Sequence, residues 1–286
     1  MVSDLRIATR ASRLAMAQAG AVANALRAAH TGLDISIVEI ESSGDLDRTS
    51  PVATLTEVGA FVRSIQHAVL DGKADLAVHS CKDLPVAGLP DLVPFYPERD
   101  EPWDVLCGHG LESLPARARV GTGSPRRAAQ LRLIRPDVEV TEIRGNVDTR
   151  LEKMRSGEYD AVVLAEAGLR RLGIRSEIRH RFSVAEMVPA PGQASIAVEA
   201  VAGSRAAELA EPIDHRPTRI AVESERAVLA NTGAGCRSAL GVLGVVSDSG
   251  LHLSGFVSDA SGPRFGVARG SDGQAVAIQL QSALGL

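Results

Sequence analysis

The sequence contains few aromatic residues and few cysteines. Phe, Trp and Tyr make up 3% of the 286 residues, so Leu, Val, Ile and Ala must fill the hydrophobic cores. Three cysteines, Cys81, Cys107 and Cys236, are too few and too widely separated for a disulfide framework or a zinc site. An odd number of cysteines leaves room for one thiol with a special role.

The sequence also lacks long apolar runs and a strong net charge. No run of 18 apolar residues occurs, which argues against a membrane-spanning helix. The first residues show no apolar stretch followed by a small-residue cleavage site, so we expect a cytoplasmic protein. A net charge of −4 argues against general binding of nucleic acid.

Positive charge is nevertheless concentrated in one region. Three of the 31 basic residues are lysine and the other 28 are arginine, a bias that genomic base composition can produce. Between Arg117 and Arg155, however, ten Arg or Lys residues stand against five Asp or Glu residues. Base composition does not explain this clustering.

Hydrophobic periodicity predicts two α/β units of similar size. The first has strands at 5–9, 34–41 and 74–78, helices at 12–29 and 60–70, and a polar loop at 44–57. The second has strands at 119–121, 138–143 and 161–165, and helices at 126–134, 147–156 and up to Leu172. Segments 93–104 and 183–193 form two crossings between the units, which makes one domain discontinuous.

The character of the sequence changes again after Pro217. Helices at 218–232 and 274–284 enclose strands at 240–246, 251–257 and 265–269, a pattern typical of a small α+β domain. We therefore predict three domains: residues 1–97 with 194–214, residues 98–193, and residues 215–286.

Polar residues follow the first unit's strands, at the carboxyl ends where α/β sheets bind ligands. Arg10 and Ser12 follow the first strand, and Lys82 and Asp83 follow the strand at 74–78. A carboxylate beside a lysine can stay ionised and can stabilise positive charge developing on a substrate. An ordinary solvated loop pair is the alternative.

The second unit places arginines at two strand-to-helix junctions. Arg126 and Arg127 open one helix, and Arg144 and Arg150 flank the start of the next. Free N–H groups at a helix N-terminus bind anions, and arginine strengthens such a site. Phosphate and carboxylate ligands both remain possible, although no Walker pattern is present. The arrangement indicates a polyanionic small molecule, with a solvated face as the alternative.

Cys236 lies in a glycine-rich turn beside Arg237. A thiol exposed in such a turn can carry a covalent adduct, and a neighbouring arginine favours its thiolate form. The alternative is a small buried hydrophobic residue.

Together these motifs resemble the hydroxymethylbilane synthase (porphobilinogen deaminase) family over nearly the whole chain. The resemblance implies a transferase of tetrapyrrole and heme biosynthesis that adds four porphobilinogen units, with loss of ammonia, to a dipyrromethane primer thioether-linked to Cys236. Hydrolysis then releases linear hydroxymethylbilane. The segments that carry the resemblance are 6–12, 78–85, 121–131, 144–151, 159–173, 189–193 and 225–236.

The resemblance also implies the fold and the roles of site residues. It implies a monomer whose first two domains are folded like periplasmic binding proteins with mixed, mainly parallel sheets, and it implies no metal. The implied catalytic residues are Asp83, a buried carboxylate, and Lys82. The implied cofactor-binding residues are Cys236, Arg126, Arg127, Ser124, Asp83, Lys82, Arg144 and Gln193, and the implied substrate-binding residues are Arg10, Ser12, Arg144, Arg150, Arg171 and Phe61.

The sequence departs from the family pattern at several positions. In segment 53–61, a mobile lid in the family, Thr54 and Val58 replace two lysines and Glu57 adds a negative charge. The family's Gly-Gln-Gly becomes Gly-Gln-Ala at 192–194.

These departures leave two alternatives. One is a divergent paralogue that makes a shorter or different pyrrole chain. The other is a non-catalytic binding protein for carboxylate ligands, although the retention of Asp83 and Cys236 argues against it.

Overall fold

The chain forms two compact units. Unit 1 holds Met1–Arg99 and Ser195–Arg219, and unit 2 holds Asp100–Ala194 and Ile220–Leu286. The computed structural model describes residues 4–40, 55–230 and 239–286, with backbone alone for 55–60. Within the predicted lid at 53–61, the Phe61 side chain and the backbone from Leu55 are therefore described, whereas the predicted departures at Thr54, Glu57 and Val58 lie outside the described side chains.

Unit 1 is built on a five-stranded mixed sheet with the order β2-β1-β3-β10-β4. Strands β1, β2 and β3 are parallel, while β10, supplied by the returning chain, is antiparallel to both of its neighbours. The elements are β1 (Asp4–Thr9), α1 (Arg13–Ala29), β2 (Asp34–Glu39), α2 (Leu55–Leu70), β3 (Leu76–Ser80), a 3₁₀ turn (Cys81–Asp83), β4 (Leu92–Phe95), β10 (Ile196–Val201) and α6 (Arg205–Ala210).

Local sequence accounts for the first helix of unit 1. The Ser12 side chain accepts a hydrogen bond from the Ala15 N–H at 3.3 Å, which satisfies one of the free donors at the start of α1. The helix then buries Val22 and Leu26 against the sheet, where Ile7 is fully buried. Because β1 and β3 are parallel, the polar residues that follow them lie at the same end of the sheet.

Unit 2 contains a second five-stranded mixed sheet, with the order β7-β6-β8-β5-β9. Strands β6, β7 and β8 are parallel, and β5 is antiparallel to β8 and β9. Ser124 and Asn146 cap the helices that follow β6 and β7 through their side chains. The elements are β5 (Asp104–Cys107), β6 (Arg119–Gly121), α3 (Pro125–Ile134), β7 (Glu139–Thr141), α4 (Val147–Arg155), β8 (Ala161–Ala165), α5 (Glu166–Arg171) and β9 (Ile178–Arg181).

Unit 2 also contains a three-stranded antiparallel sheet with the order β11-β12-β13. Helix α8 packs its apolar face on this sheet, burying Val276, Leu280 and Leu284. A Cβ atom on Gly255 would lie 2.8 Å from Leu284, so the close approach of helix and sheet depends on glycine there. The elements are α7 (Arg216–Ala230), whose first residues belong to unit 1, β11 (Ala239–Ser247), β12 (Gly250–Asp259), β13 (Gly262–Gly270) and α8 (Gly273–Leu284).

The predicted fold class, α/β units with mixed sheets and a small α+β part, is confirmed. Four strands were not predicted: β4 and β5 lie in or at the end of a predicted crossing, and β9 and β10 received no assignment. The predicted loop at 44–57 is wrong at its end, because α2 already begins at Leu55. The three-domain division stays a prediction. None of the described helices has the length and apolarity needed to cross a membrane.

Ala194 adopts a backbone conformation that L-residues avoid, with φ of +68°. The family places glycine at this position, and glycine adopts such angles without steric strain. We expect Ala194→Gly to raise the free energy of unfolding by about 1 kcal/mol, measured by urea denaturation. The matched control is Ala190→Gly, at a position where φ is negative, which should lower it. A destabilised Ala194→Gly variant would contradict this expectation.

Candidate active site

A small open cleft with a volume of about 110 Å³ lies in unit 1 at the ends of β1 and β3. Four residues singled out from the sequence line it: Arg10, Ser12, Phe61 and Asp83. The structure therefore brings together residues that are up to 73 positions apart in the sequence, from Arg10 to Asp83.

Arg10 lies over the ring of Phe61, with 4.2 Å between the guanidinium carbon and the ring centroid. This distance is well within the range of a cation–π interaction, which restrains the direction of the guanidinium. Arg10 comes from the end of β1 and Phe61 from α2. The contact therefore presents a permanently charged group and an aromatic face in the same cleft.

Asp83 ends the 3₁₀ turn that follows β3. The turn is held by the Cys81 N–H, which donates to the Ser195 carbonyl at 3.0 Å, and by the buried Cys81 side chain. Asp83 itself is exposed and Lys82 is half-buried. The expectation of a buried carboxylate is wrong for this conformation, because the turn directs Asp83 to the open side of the cleft.

Sequence reasoning missed three polar residues of the cleft, Gln18, His79 and Ser80. Gln18, on α1, is buried and donates to the Ser80 hydroxyl at 2.8 Å. His79, the buried residue before Ser80, lies 3.3 Å from the carboxylate of Glu199. An amide on the apolar side of α1 was the available signal for Gln18, whereas Glu199 lies on a strand that periodicity did not reveal.

The paired arginines of unit 2 lie in a buried ion cluster. Arg126 Nη1 donates to Asp104 Oδ2 at 2.7 Å, and Arg127 Nε donates to Asp104 Oδ1 at 2.8 Å. Arg126 is 3% exposed, Arg127 is 6% exposed and Asp104 is fully buried. Helix α3 supplies both arginines and the first residue of β5 supplies the carboxylate, which sequence reasoning did not identify.

Asp104 remains ionised despite its burial. Burial alone would raise the pKa of the carboxyl, but the charges of Arg126 and Arg127 and a 3.1 Å hydrogen bond from Gln193 hold it well below its ordinary value. Two guanidiniums and one carboxylate give the cluster a net charge of +1. Arg126 Nε is buried without a hydrogen-bond partner. Such a cluster is suited to a further anionic group.

The other predicted binding residues of unit 2 have protein partners in this conformation. The Ser124 side chain accepts from the Arg127 N–H at 3.4 Å, and exposed Arg144 pairs with Glu142 at 2.8 Å. Arg150 Nε donates to a backbone carbonyl at 2.8 Å. Arg171 pairs with Asp100 at 2.7 Å, and burial lowers the pKa of the Arg171 guanidinium. Their roles as ligand contacts stay predictions.

Cys236 lies outside the described residues, between the end of α7 and the start of β11. Cys81 and Cys107 are fully buried. Burial raises the pKa of the Cys107 thiol to about 12, so the reactive thiolate is scarce at neutral pH.

We therefore expect native alkylation to spare Cys81 and Cys107. After brief iodoacetamide treatment at pH 8, peptide mapping should find both thiols unmodified. The same treatment in urea should label them, which provides the control. Rapid labelling of Cys107 in the folded protein would show that the strand bearing it opens.

Known proteins are similar to this chain over most of its length. Residues 5–208 match the family model described as porphobilinogen deaminase, dipyromethane cofactor binding domain. A porphobilinogen deaminase of Acidothermus cellulolyticus is 47% identical over 91% of this chain and 81% of its own length. That of Roseiflexus castenholzii is 44% identical over 92% of this chain and 88% of its own length. A distant likeness links the chain to the VFT2 domain of Bordetella pertussis BvgS, with 16% identity, a TM-score of 0.40, and coverage of 72% and 84%.

Proposed function

Since this chain belongs to the porphobilinogen deaminase family, we propose that the cleft of unit 1 and the arginine cluster of unit 2 carry out its reaction. The protein is a hydroxymethylbilane synthase, a transferase that uses a dipyrromethane cofactor. It joins four porphobilinogen units with loss of ammonia and releases the linear tetrapyrrole. Holding the cofactor, binding the substrate and stabilising the cation that forms are three separate tasks, and Lys82, Asp83 and Arg144 are each assigned to two of them.

The buried cluster of Arg126, Arg127 and Asp104 is the observation that supports the assignment most directly. Its net charge of +1 and the unpartnered Nε of Arg126 suit a carboxylate, and each pyrrole unit carries two. Buried charges are stable only when paired and hydrogen-bonded, so a single Asp104 leaves room for one more anion. A phosphate site is disfavoured because no Walker sequence accompanies the helix.

The dipyrromethane cofactor provides the covalent starting point for chain growth. We assign its attachment to Cys236, because thiolates are strong nucleophiles and Arg237 lies beside it in sequence. Arginine binds carboxylates through two parallel hydrogen bonds, which lysine cannot do in the same way. The residues assigned to holding the cofactor are Ser124, Arg126, Arg127, Arg144 and Gln193, with Lys82 and Asp83.

Porphobilinogen itself is assigned to the cleft. Its two carboxylates require cations, and its pyrrole ring suits an aromatic or apolar wall. Arg10 and Phe61 present these two surfaces together, 4.2 Å apart. The Ser12 hydroxyl lines the same cleft. Arg144, Arg150 and Arg171 are assigned to the carboxylates of the longer chain.

Asp83 is assigned the catalytic carboxylate. As ammonia leaves, positive charge develops on the porphobilinogen ring and its N–H becomes more acidic. A carboxylate fixed at the cleft stabilises this cation and accepts the N–H hydrogen bond, and it does so more strongly once water is excluded. The anchored turn of Cys81–Asp83 provides the fixed position, with Lys82 as its neighbouring cation.

Three further features are proposed: a cytoplasmic location from the pattern of the first residues, and a monomeric state and no requirement for a metal from the family resemblance. A divergent paralogue that adds fewer units is a second candidate. It is favoured by Thr54 and Val58, which stand where the family has lysine. Both replacements lie in a segment that closes over the cleft in the family, and fewer cations there would weaken binding of a long polyanion.

Intact mass spectrometry before and after brief exposure to porphobilinogen tests these proposals. A starting adduct of two pyrrole rings that grows by further rings and then returns to its first mass is expected. An adduct that stops growing early would indicate the divergent paralogue. A protein that carries no adduct, even after incubation with porphobilinogen, would contradict the assignment of Cys236.

A further inference from the structure

Residues 188–193, here called the connecting segment, contact the buried cluster of Arg126, Arg127 and Asp104. The Val188 carbonyl accepts from Arg126 Nη1 at 2.7 Å and from Gln130 Nε2 at 3.1 Å. At the other end of the segment, Gln193 Nε2 donates to Asp104 Oδ1 at 3.1 Å. The segment therefore contacts both Arg126 and Asp104 through hydrogen bonds.

The opposite side of the connecting segment lies against β11. The Val242 N–H donates to the Pro189 carbonyl at 2.8 Å. A Cβ atom on Gly241 would lie 2.6 Å from the Val188 carbonyl oxygen, so only glycine permits this approach. Strand β11 thus sits directly behind the segment that orients the arginines.

Glu225 of α7 joins these parts through a fully buried carboxylate. Its Oε2 accepts from the Gly192 N–H at 2.6 Å, and its Oε1 accepts from the Gly244 N–H at 2.7 Å. One oxygen therefore holds the connecting segment and the other holds β11.

We propose that Glu225 is a positioning residue for the dipyrromethane site. It fixes the connecting segment so that Gln193 and the Val188 carbonyl orient Asp104, Arg126 and Arg127 toward the carboxylates of the cofactor. The proposal rests on the assignment of the arginine cluster to the cofactor. It adds a residue that contacts neither cofactor nor substrate and acts through the backbone of the connecting segment.

Glu225→Gln tests the proposal, because the amide offers one acceptor oxygen and presents a donor to the second N–H group. We expect a folded protein by circular dichroism, with about tenfold lower cofactor occupancy by intact mass or a tenfold higher KM for porphobilinogen. The only tryptophan, Trp103, packs with Val188 beside Asp104, so its emission should shift as the segment moves. The matched control, Glu223→Gln on the exposed face of the same helix, should change none of these quantities.

Gln193→Leu removes the contact between the connecting segment and Asp104 and should reproduce the loss of cofactor. Combined with Glu225→Gln, it should add little, because both changes interrupt one route. Additive losses, or a folded Glu225→Gln protein with wild-type occupancy, KM and emission, would overturn the proposal.

If Glu225→Gln does not fold, Glu225→Asp carries the same measurements, and failure of both to fold would assign Glu225 to the fold alone. A wild-type chain without cofactor would instead contradict the proposed function, while Trp103 emission still reports on the segment.

Discussion

Asp83→Asn should lower kcat by about 10²–10³-fold, the effect typical of removing one group that stabilises transition-state charge. Asn has nearly the shape of Asp but no charge, so it cannot stabilise the cation that forms when ammonia leaves. Because Asp83 is exposed at the end of an anchored turn, the substitution should leave the free energy of unfolding unchanged. Release of ammonia under single-turnover conditions measures the effect directly.

The matched control for this variant is Asp91→Asn, an exposed carboxylate of the same unit that does not line the cleft. It should retain wild-type turnover. Both proteins should carry the dipyrromethane mass, since Asp83 is one of several residues proposed to hold the cofactor. Near-normal ammonia release from Asp83→Asn would refute the catalytic role, whereas a normal rate with a raised KM would make Asp83 a binding residue.

The fold was accessible from the sequence where side chains alternate or recur in a regular period. Helix α1 displays such a pattern because one of its faces meets the core, and its bounds were predicted within one residue. Strand β5 displays none, since all four of its residues are buried. Its first residue is Asp104. When only neighbouring residues are considered, a carboxylate at the start of a short apolar run favours a loop over a strand.

The candidate site was partly accessible for a related reason. Residues that follow strands in one sheet converge whatever the details of packing, so Arg10 and Asp83 were correctly placed in one cleft. The partner of Arg126 and Arg127 was not, because Asp104 precedes them by 22 and 23 positions and pairs with them only through the tertiary fold. Long-range charge pairing leaves no periodic trace in a sequence.

Asp104→Asn should lower the free energy of unfolding by about 3–5 kcal/mol, because it leaves two buried guanidiniums without a counter-charge. Urea denaturation followed by Trp103 fluorescence measures this in the part of unit 2 that contains the cluster. The folded pKa of Asp104 is depressed, so its stabilising effect is present above the ordinary carboxyl pKa and is lost as the pH falls toward the folded value. In acid, the wild type loses the stability that ionised Asp104 provides. The variant has no carboxylate there to protonate, so its free energy of unfolding should fall less as the pH is lowered.

Two comparisons separate charge pairing from simple loss of a side chain. Asp137→Asn removes the exposed partner of Arg135, where solvent screens the charges, and should have little effect. Adding Arg126→Met to Asp104→Asn restores the net charge of the cluster to +1, so the double variant should be more stable than the two single losses predict, with a coupling free energy of about 1–3 kcal/mol. It should still fail to retain the cofactor, since the remaining guanidinium of Arg127 has lost the carboxylate that orients it. Strict additivity of the two losses would mean that Asp104 and Arg126 do not stabilise each other, which would contradict the charge pairing assigned to the cluster.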